Sequence, residues 1–282
     1  VRDSAAVLDA TCGPWPNEHF ALPKPEVAYR RVIEADPGRL RVGFLTRDFT
    51  GEPAHPDSAQ AVKTTAARCE ELGHDVEEAP LEIDGAAFNE AFKLTWAQGA
   101  GFVRLLAQTT MTSREELPGL FRVLLRSDIL FDAFLALYRR GGAPLLERFT
   151  RRLIAVDAQH HPSHLLAAER TLKRIEADVA STLETYDVLL TPTLGTPPSR
   201  TGYFDQGWSI PETQRFLNRY VGYTPIANTG GSPAMSVPAI RNADNLPIGA
   251  HFVAPLGRED LLLQLAAQIE RAHPWPMWFE TV

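Results

Sequence analysis

The chain has 282 residues, 44% hydrophobic and 22% charged, a composition that places it with folded globular proteins and excludes collagen-like and disordered classes. Its 28 Lys and Arg against 35 Asp and Glu leave a net charge of −7, so the overall field disfavours nucleic acid and anionic membrane as partners. The two cysteines, Cys12 and Cys69, match no zinc or CxxC spacing; neither a disulfide framework nor a structural metal is indicated, and a reducing cytoplasm is the expected setting.

The first residues, Val1-Arg2-Asp3-Ser4, show neither an initiator Met nor the apolar core of a signal peptide, and we expect them to be interior to a longer protein. No apolar run reaches the roughly 18 to 20 residues needed to cross a bilayer. Val1 to Thr11 reads as a short helix with Asp3 in its first turn, stopped by Gly13-Pro14. A linker broken by Pro16, Pro23 and Pro25 follows. Arg41 to Leu45 reads as a short strand, and Ala59 to Leu72 repeats Val62, Ala66, Cys69 and Leu72 at helical spacing before Gly73. A second strand starting at Val76 completes a βαβ unit.

From Phe88 to Gln159 the pattern is mostly helical. Phe88, Phe92, Trp96, Phe102, Leu105 and Leu106 mark an amphipathic first helix, and further helices are expected around Glu116 to Tyr138 and Pro144 to Val156. Pro162 suits the first position of a helix whose Leu165, Ala168, Leu172, Ile175, Val179 and Leu183 hold one face. Tyr186 to Leu190 then reads as a buried strand that delivers Thr191-Pro192-Thr193 at its C-terminal end, where open α/β sheets bind ligands. Strands are also expected at Ala234 to Val237 and Ile248 to Val253, and a last helix from about Glu259 to Ala272 places Leu261, Leu262, Leu265 and Ile269 together.

Three constellations invite a catalytic or metal role, and each has a plainer explanation. Gly230-Gly231-Ser232 could expose backbone N–H groups beside a serine, but Pro233 constrains that serine and no G-x-S-x-G elbow or nearby base is evident. His160, His161 and His164 carry an i, i+4 pair, yet Pro162 interrupts it and no H-E-x-x-H carboxylate accompanies it. Cys69 falls on an apolar helix face and reads as core filler, as does Cys12. The chain has four lysines, Lys24, Lys63, Lys93 and Lys173, and all read as solvated surface residues rather than a desolvated base.

Several ordered segments carry a resemblance. These are Val1-Arg2-Asp3-Ser4-Ala5-Ala6-Val7-Leu8-Asp9-Ala10, Arg41-Val42-Gly43-Phe44, the Leu72 to Val76 turn, Tyr186 to Thr193, Asn228 to Pro238, and Leu246 to Val253 with the final helix. Together they resemble the amidase-signature hydrolases. The stretches Leu194 to Pro198 and Phe216 to Ala227 look most like the branch containing 6-aminohexanoate cyclic-dimer hydrolase. The resemblance implies an α/β fold, a mixed β-sheet covered by helices, lacking its N-terminal portion. Residues 1–282 would then be the C-terminal part of a single domain, with a helical variable region at about 86–160.

The same resemblance implies amide hydrolysis through an acyl-enzyme, with a nucleophilic serine, a cis-peptide serine and a neutral lysine, and with no metal or cofactor. In the family those residues precede the V-R-D helix, which begins here at Val1, so no residue of this sequence inherits a catalytic role. What the chain would supply is substrate lining, and the residues expected to do so are Trp96, Thr191, Thr193, Tyr223, Asn228 and Thr229. A structural role satisfying backbone groups stays open for each. The partner implied is a small-molecule amide, with no nucleic acid and no membrane, and a homodimer is the assembly to test. Two other readings are carried alongside: a non-catalytic binding or interaction module that kept the scaffold, and an unrelated hydrolase using Ser232 or Cys69.

Overall fold

The structure is a computed structural model that describes residues 1–14, 22–80, 83–112, 161–203 and 207–275, with 119, 127, 129–130, 133, 150, 153–154 and 156. Most of the helices expected around Glu116 to Tyr138 and Pro144 to Val156 therefore lie outside the described residues, as does His160. The chain divides into two compact units, one of Val1–Ala86 with Lys173–Val282 and the other of Ala87–Leu172.

The first unit opens with helix α1 (Arg2–Thr11) and a single turn, α2 (Tyr29–Val32). Their junction is polar: the Asp9 carboxylate accepts from the N–H groups of Tyr29 (2.6 Å) and Arg30 (3.1 Å). These are the donors left without a partner where α2 starts, and an acidic group there also meets the positive end of the helix. Strand β1 (Arg41–Phe44), helix α3 (Pro56–Glu71) and strand β2 (Asp75–Glu78) form the expected βαβ unit, with β1 and β2 parallel.

Helix α4 (Gly85–Thr112) and helix α5 (Pro162–Thr185) precede strand β3 (Val188–Pro192), which is buried along its whole length. Helices α6 (Ile210–Tyr220) and α7 (Pro225–Gly230) follow, then strands β4 (Ala234–Arg241) and β5 (Pro247–Val253), and finally helix α8 (Glu259–Ala272). The strands make one mixed sheet in the order β2-β1-β3-β5-β4. β3 is parallel to β1 and antiparallel to β5, and β5 is antiparallel to β4.

Strand alternation gives the sheet two faces of different chemistry. On one face Val42, Val188, Leu190, Phe252, Ala250, Ile248 and Val237 pack against Ala61, Val62, Ala66 and Cys69 of α3 and Leu261, Leu262, Leu265 and Ile269 of α8. These helices meet the sheet because their apolar residues recur every three or four positions. On the opposite face the paired positions Leu189 and Val253 are buried, and the next pair along the strands is Thr191 and His251. The sheet thus turns from apolar to polar at the C-terminal end of β3.

Charged and polar side chains tie the strand starts. Asp187 accepts from the Arg41 N–H at 2.8 Å, and Arg39 donates through Nε to Asp75 at 2.8 Å. The buried His74 ring accepts from the Leu40 N–H through Nδ1 (3.2 Å) and meets Gln268 Oε1 through Nε2 (3.0 Å). Burial is the main cause that holds its pKa below the usual value.

In the second unit, the described part of α4 carries an aromatic run. Phe88 stacks on Phe92 with ring centroids 5.6 Å apart, and Phe92 meets Trp96 at 5.8 Å. Phe88 is buried, whereas Trp96 is 43% exposed. No helix among the described residues is long and apolar enough to cross a membrane.

Candidate functional site

The polar end of β3 is built by three strands. Thr191 lies directly across from His251 of β5, and His251 lies across from Ser236 of β4. Thr191 Oγ1 and His251 Nδ1 are 3.0 Å apart in a buried pair, and Thr193 Oγ1 bonds Ser236 Oγ at 2.7 Å toward the open side. Thr193 and Ser236 meet over Gly249. A Cβ on Gly249 would come within 2.8 Å of Ser236 Oγ and 2.9 Å of Thr193 Oγ1, so the hydroxyl pair exists because that position has no side chain.

Burial sets the ionisation of the site. His251 is 6% exposed and its pKa is lowered to about 4 by desolvation, because a positive ring there would lose its hydration without gaining a counter-charge. At neutral pH it is an uncharged hydrogen-bonding group. Cys69 is fully buried on the other face, and burial pushes its thiol up to about 12, which leaves essentially no thiolate for nucleophilic attack.

The loop after β3 is fastened on both sides. The Gly195 N–H donates to Tyr220 O and the Gly195 carbonyl accepts from His55 N–H, each at 2.8 Å. A Cβ on Gly195 would lie 2.0 Å from Arg219 O, so only glycine lets the loop approach the end of α6 so closely. α6 starts at a capping box in which Ser209 and Glu212 satisfy one another's backbone N–H groups. Its Phe216 and Tyr220 stack at 5.1 Å, and Tyr203 and Trp208 close on Phe216 at 5.3 Å each.

Tyr223 follows α6. Its ring is 1% exposed, it meets Phe49 edge-on at 6.3 Å, and its hydroxyl donates to Thr46 O at 3.4 Å. Asn228 is exposed on α7, and Thr229 Oγ1 donates to Pro225 O at 3.0 Å within the same short helix. Gly231 then adopts φ 63°, a left-handed cap, and the Ser232 N–H donates to Ala227 O. The Asn-Thr-Gly-Gly-Ser segment is thus a helix stop that leads into β4.

Of the residues expected to line substrate, Thr191, Thr193, Tyr223, Asn228 and Thr229 fall in the first unit. Thr191 and Thr193 share the polar end of the sheet, while Asn228 and Thr229 share α7. Trp96 belongs to the second unit. His251, Ser236, Gly249 and Gly195 were not among the expected site residues. Their signal was present as His251 and Gly249, alternate positions in an otherwise apolar Ile-Gly-Ala-His-Phe-Val run. Lys24, Lys63 and Lys173 are exposed, and Lys93 pairs with Glu90. Among the described residues, no group of three His, Cys, Asp or Glu side chains converges in a way that could hold a metal ion.

Comparison with known proteins sets this geometry in a family. The sequence profile of the Amidase family matches residues 1–263. The chain is 32% identical to 6-aminohexanoate-cyclic-dimer hydrolase of Pseudomonas sp. (strain NK87) over 98% of its own length and 52% of that protein's. It is 31% identical to the enzyme of the same name from Paenarthrobacter ureafaciens, again over 98% and 52%. The solved structure of 6-aminohexanoate cyclic dimer hydrolase superposes with a TM-score of 0.75 at 28% identity, covering 97% of this chain and 53% of that one. The chain spans about half the length of the curated relatives it matches. With this profile match, a mixed five-stranded sheet and the same fold as its relatives, the chain belongs to the amidase family and carries the amidase-signature fold.

Proposed function

We propose that this chain is one half of an amidase that hydrolyses a carboxamide or small oligoamide. The observation that carries the reading is the alignment over 98% of the chain to hydrolases of a cyclic amide dimer, alongside a match to only about half of each relative. In this reading a serine, a cis-peptide serine and a lysine form and hydrolyse the acyl-enzyme, and all three lie in polypeptide outside residues 1–282. The chain contributes the substrate-side wall: Thr191 and Thr193 at the end of β3, Tyr223, Asn228 and Thr229 around α7, and Trp96 from the helical stretch at about 86–160.

The ionisation of the described site supports a supporting rather than a reacting role. His251 stays neutral far below pH 7, and Cys69 stays protonated far above it. Threonine hydroxyls at a strand end suit the positioning of an amide, since they donate and accept without changing charge. A cytoplasmic setting, no cofactor and a homodimeric assembly belong to the same proposal.

Hydrolysis of 6-aminohexanoate cyclic dimer and simple carboxamides tests it. The purified 282-residue chain is expected to show no serine-dependent turnover, and turnover is expected once the remaining part of an amidase is supplied. Covalent labelling of Ser232 by a fluorophosphonate, with hydrolysis by the chain alone that Ser232→Ala abolishes, would sink the assignment. No turnover after complementation, with substrate binding retained, would favour a non-catalytic module.

A further inference from the structure

The polar end of the sheet holds a hydrogen bond that the fold does not need. Thr193, one residue past β3, and Ser236 of β4 lie on either side of β5, and their hydroxyls meet over Gly249 at 2.7 Å. Backbone pairing through β5 already keeps β3 and β4 in register. Ser236 is exposed and Thr193 half-buried, so water competes for both hydroxyls and their bond adds little to stability.

Gly249 points to a use for the pair. A glycine inside a strand gives up side-chain packing, and such positions mark the close approach of a ligand or another backbone. Here its bare backbone makes room for the two hydroxyls, because a Cβ would come within 2.8 Å of Ser236 Oγ. Two hydroxyls bonded to each other keep one donor and three acceptor positions between them. The neighbouring pair, Thr191 and His251, lies on the same face and is likewise uncharged at neutral pH. A patch with a spare donor, spare acceptors and no charge matches a neutral group that both accepts and donates, and a secondary amide is such a group.

The compound named for the two relatives, 6-aminohexanoate cyclic dimer, is a ring closed by two such amides. When one is cleaved the other is desolvated beside it, and it either finds partners or forfeits its hydrogen bonds. We infer that Thr193 and Ser236, given room by Gly249, bind the amide of an oligoamide that is not being cleaved, and so set a preference for two amides over one. The inference rests on the reading of the chain as one half of an amidase of small oligoamides. The spare hydroxyl hydrogen is donated to that amide's carbonyl oxygen, and the amide N–H is donated to an oxygen of the pair. Neither residue reacts.

The test uses the 282-residue chain mixed with a polypeptide carrying the part of the Pseudomonas relative outside the alignment. Affinity for the cyclic dimer and for the single-amide N-methylhexanamide is read by calorimetry, or as KM where the mixture turns the compound over, and hydrolysis is followed separately. The wild-type mixture should favour the dimer. Ser236→Ala should shrink that preference by about fivefold or more at an unchanged melting temperature, while Ser236→Thr stays close to wild type. Gly249→Ala, whose Cβ pushes the two hydroxyls apart, should lose the preference as well. A wild-type preference in Ser236→Ala, equal losses in Ser236→Ala and Ser236→Thr, or no binding of the dimer to the mixture would overturn the inference. A preference that depends on Ser236 without any turnover would instead count against the proposed activity and leave the amide site standing. Turnover with a preference indifferent to Ser236 would do the reverse.

Discussion

Acid should weaken this fold through His251, and the size of the effect follows from its burial. The ring's pKa is about 4 in the folded chain against 6.5 for the free side chain. Because the folded value is the lower one, the contribution is fully present above about pH 6.5 and is lost as pH falls toward 4. Below that the folded state also binds the proton and the loss levels off. At pH 5 the unfolded state is mostly protonated and the folded state mostly is not, which corresponds to about 2 kcal/mol, rising to about 3 kcal/mol at the plateau. Urea unfolding followed by circular dichroism and tryptophan fluorescence at pH 7.5 and 5.0 measures this. His251→Gln keeps a polar group beside Thr191 and removes the titration. The wild-type chain should lose about 2 kcal/mol more than the variant between the two pH values. His74 acts in the same direction but is present in both proteins, so it cancels. Equal losses in the two proteins, or an NMR titration of His251 near 6.5, would refute the burial argument.

Other features make independent claims. Gly195→Ala places a Cβ 2.0 Å from Arg219 O, and the forced separation of the loop from α6 should cost about 1–3 kcal/mol and lower the melting temperature. Ser209→Ala removes the acceptor of the α6 capping box and should cost about 1 kcal/mol by thermal melting, while Ser209→Asp should retain most of it. In the folded chain at pH 8, iodoacetamide followed by mass spectrometry should modify the half-buried Cys12 and leave Cys69 intact; rapid labelling of Cys69 under native conditions would contradict its burial.

Much of the fold was legible from short stretches. Arg41 to Val76 declares strand, helix and strand because a short apolar run at Val42 to Leu45, an N-terminal Pro-Asp-Ser and a terminal Gly before Val76 lie within a few residues of the groups they organise. The face of α5 and the leucines of α8 were legible for the same reason. Helix α6 was not anticipated, although Ser209-Ile210-Pro211-Glu212 spells a capping box with a proline in the first turn. Helix α2 was hidden in a stretch that reads as a proline-broken linker, since its N-terminal N–H groups are satisfied by Asp9, about twenty residues away.

By itself the sequence determined the local elements, the family resemblance and the apolar sides of strands and helices, all of which depend on neighbours within a turn or two. Only the tertiary structure decided that β5 returns antiparallel beside β3 and that β4 forms an edge. It brought Thr191 to His251, 60 residues away, and Thr193 to Ser236, 43 residues away. Those pairings follow from which strands the packed helices bring side by side, and burial of the assembled sheet, absent from any short segment, is what sets the charge of His251.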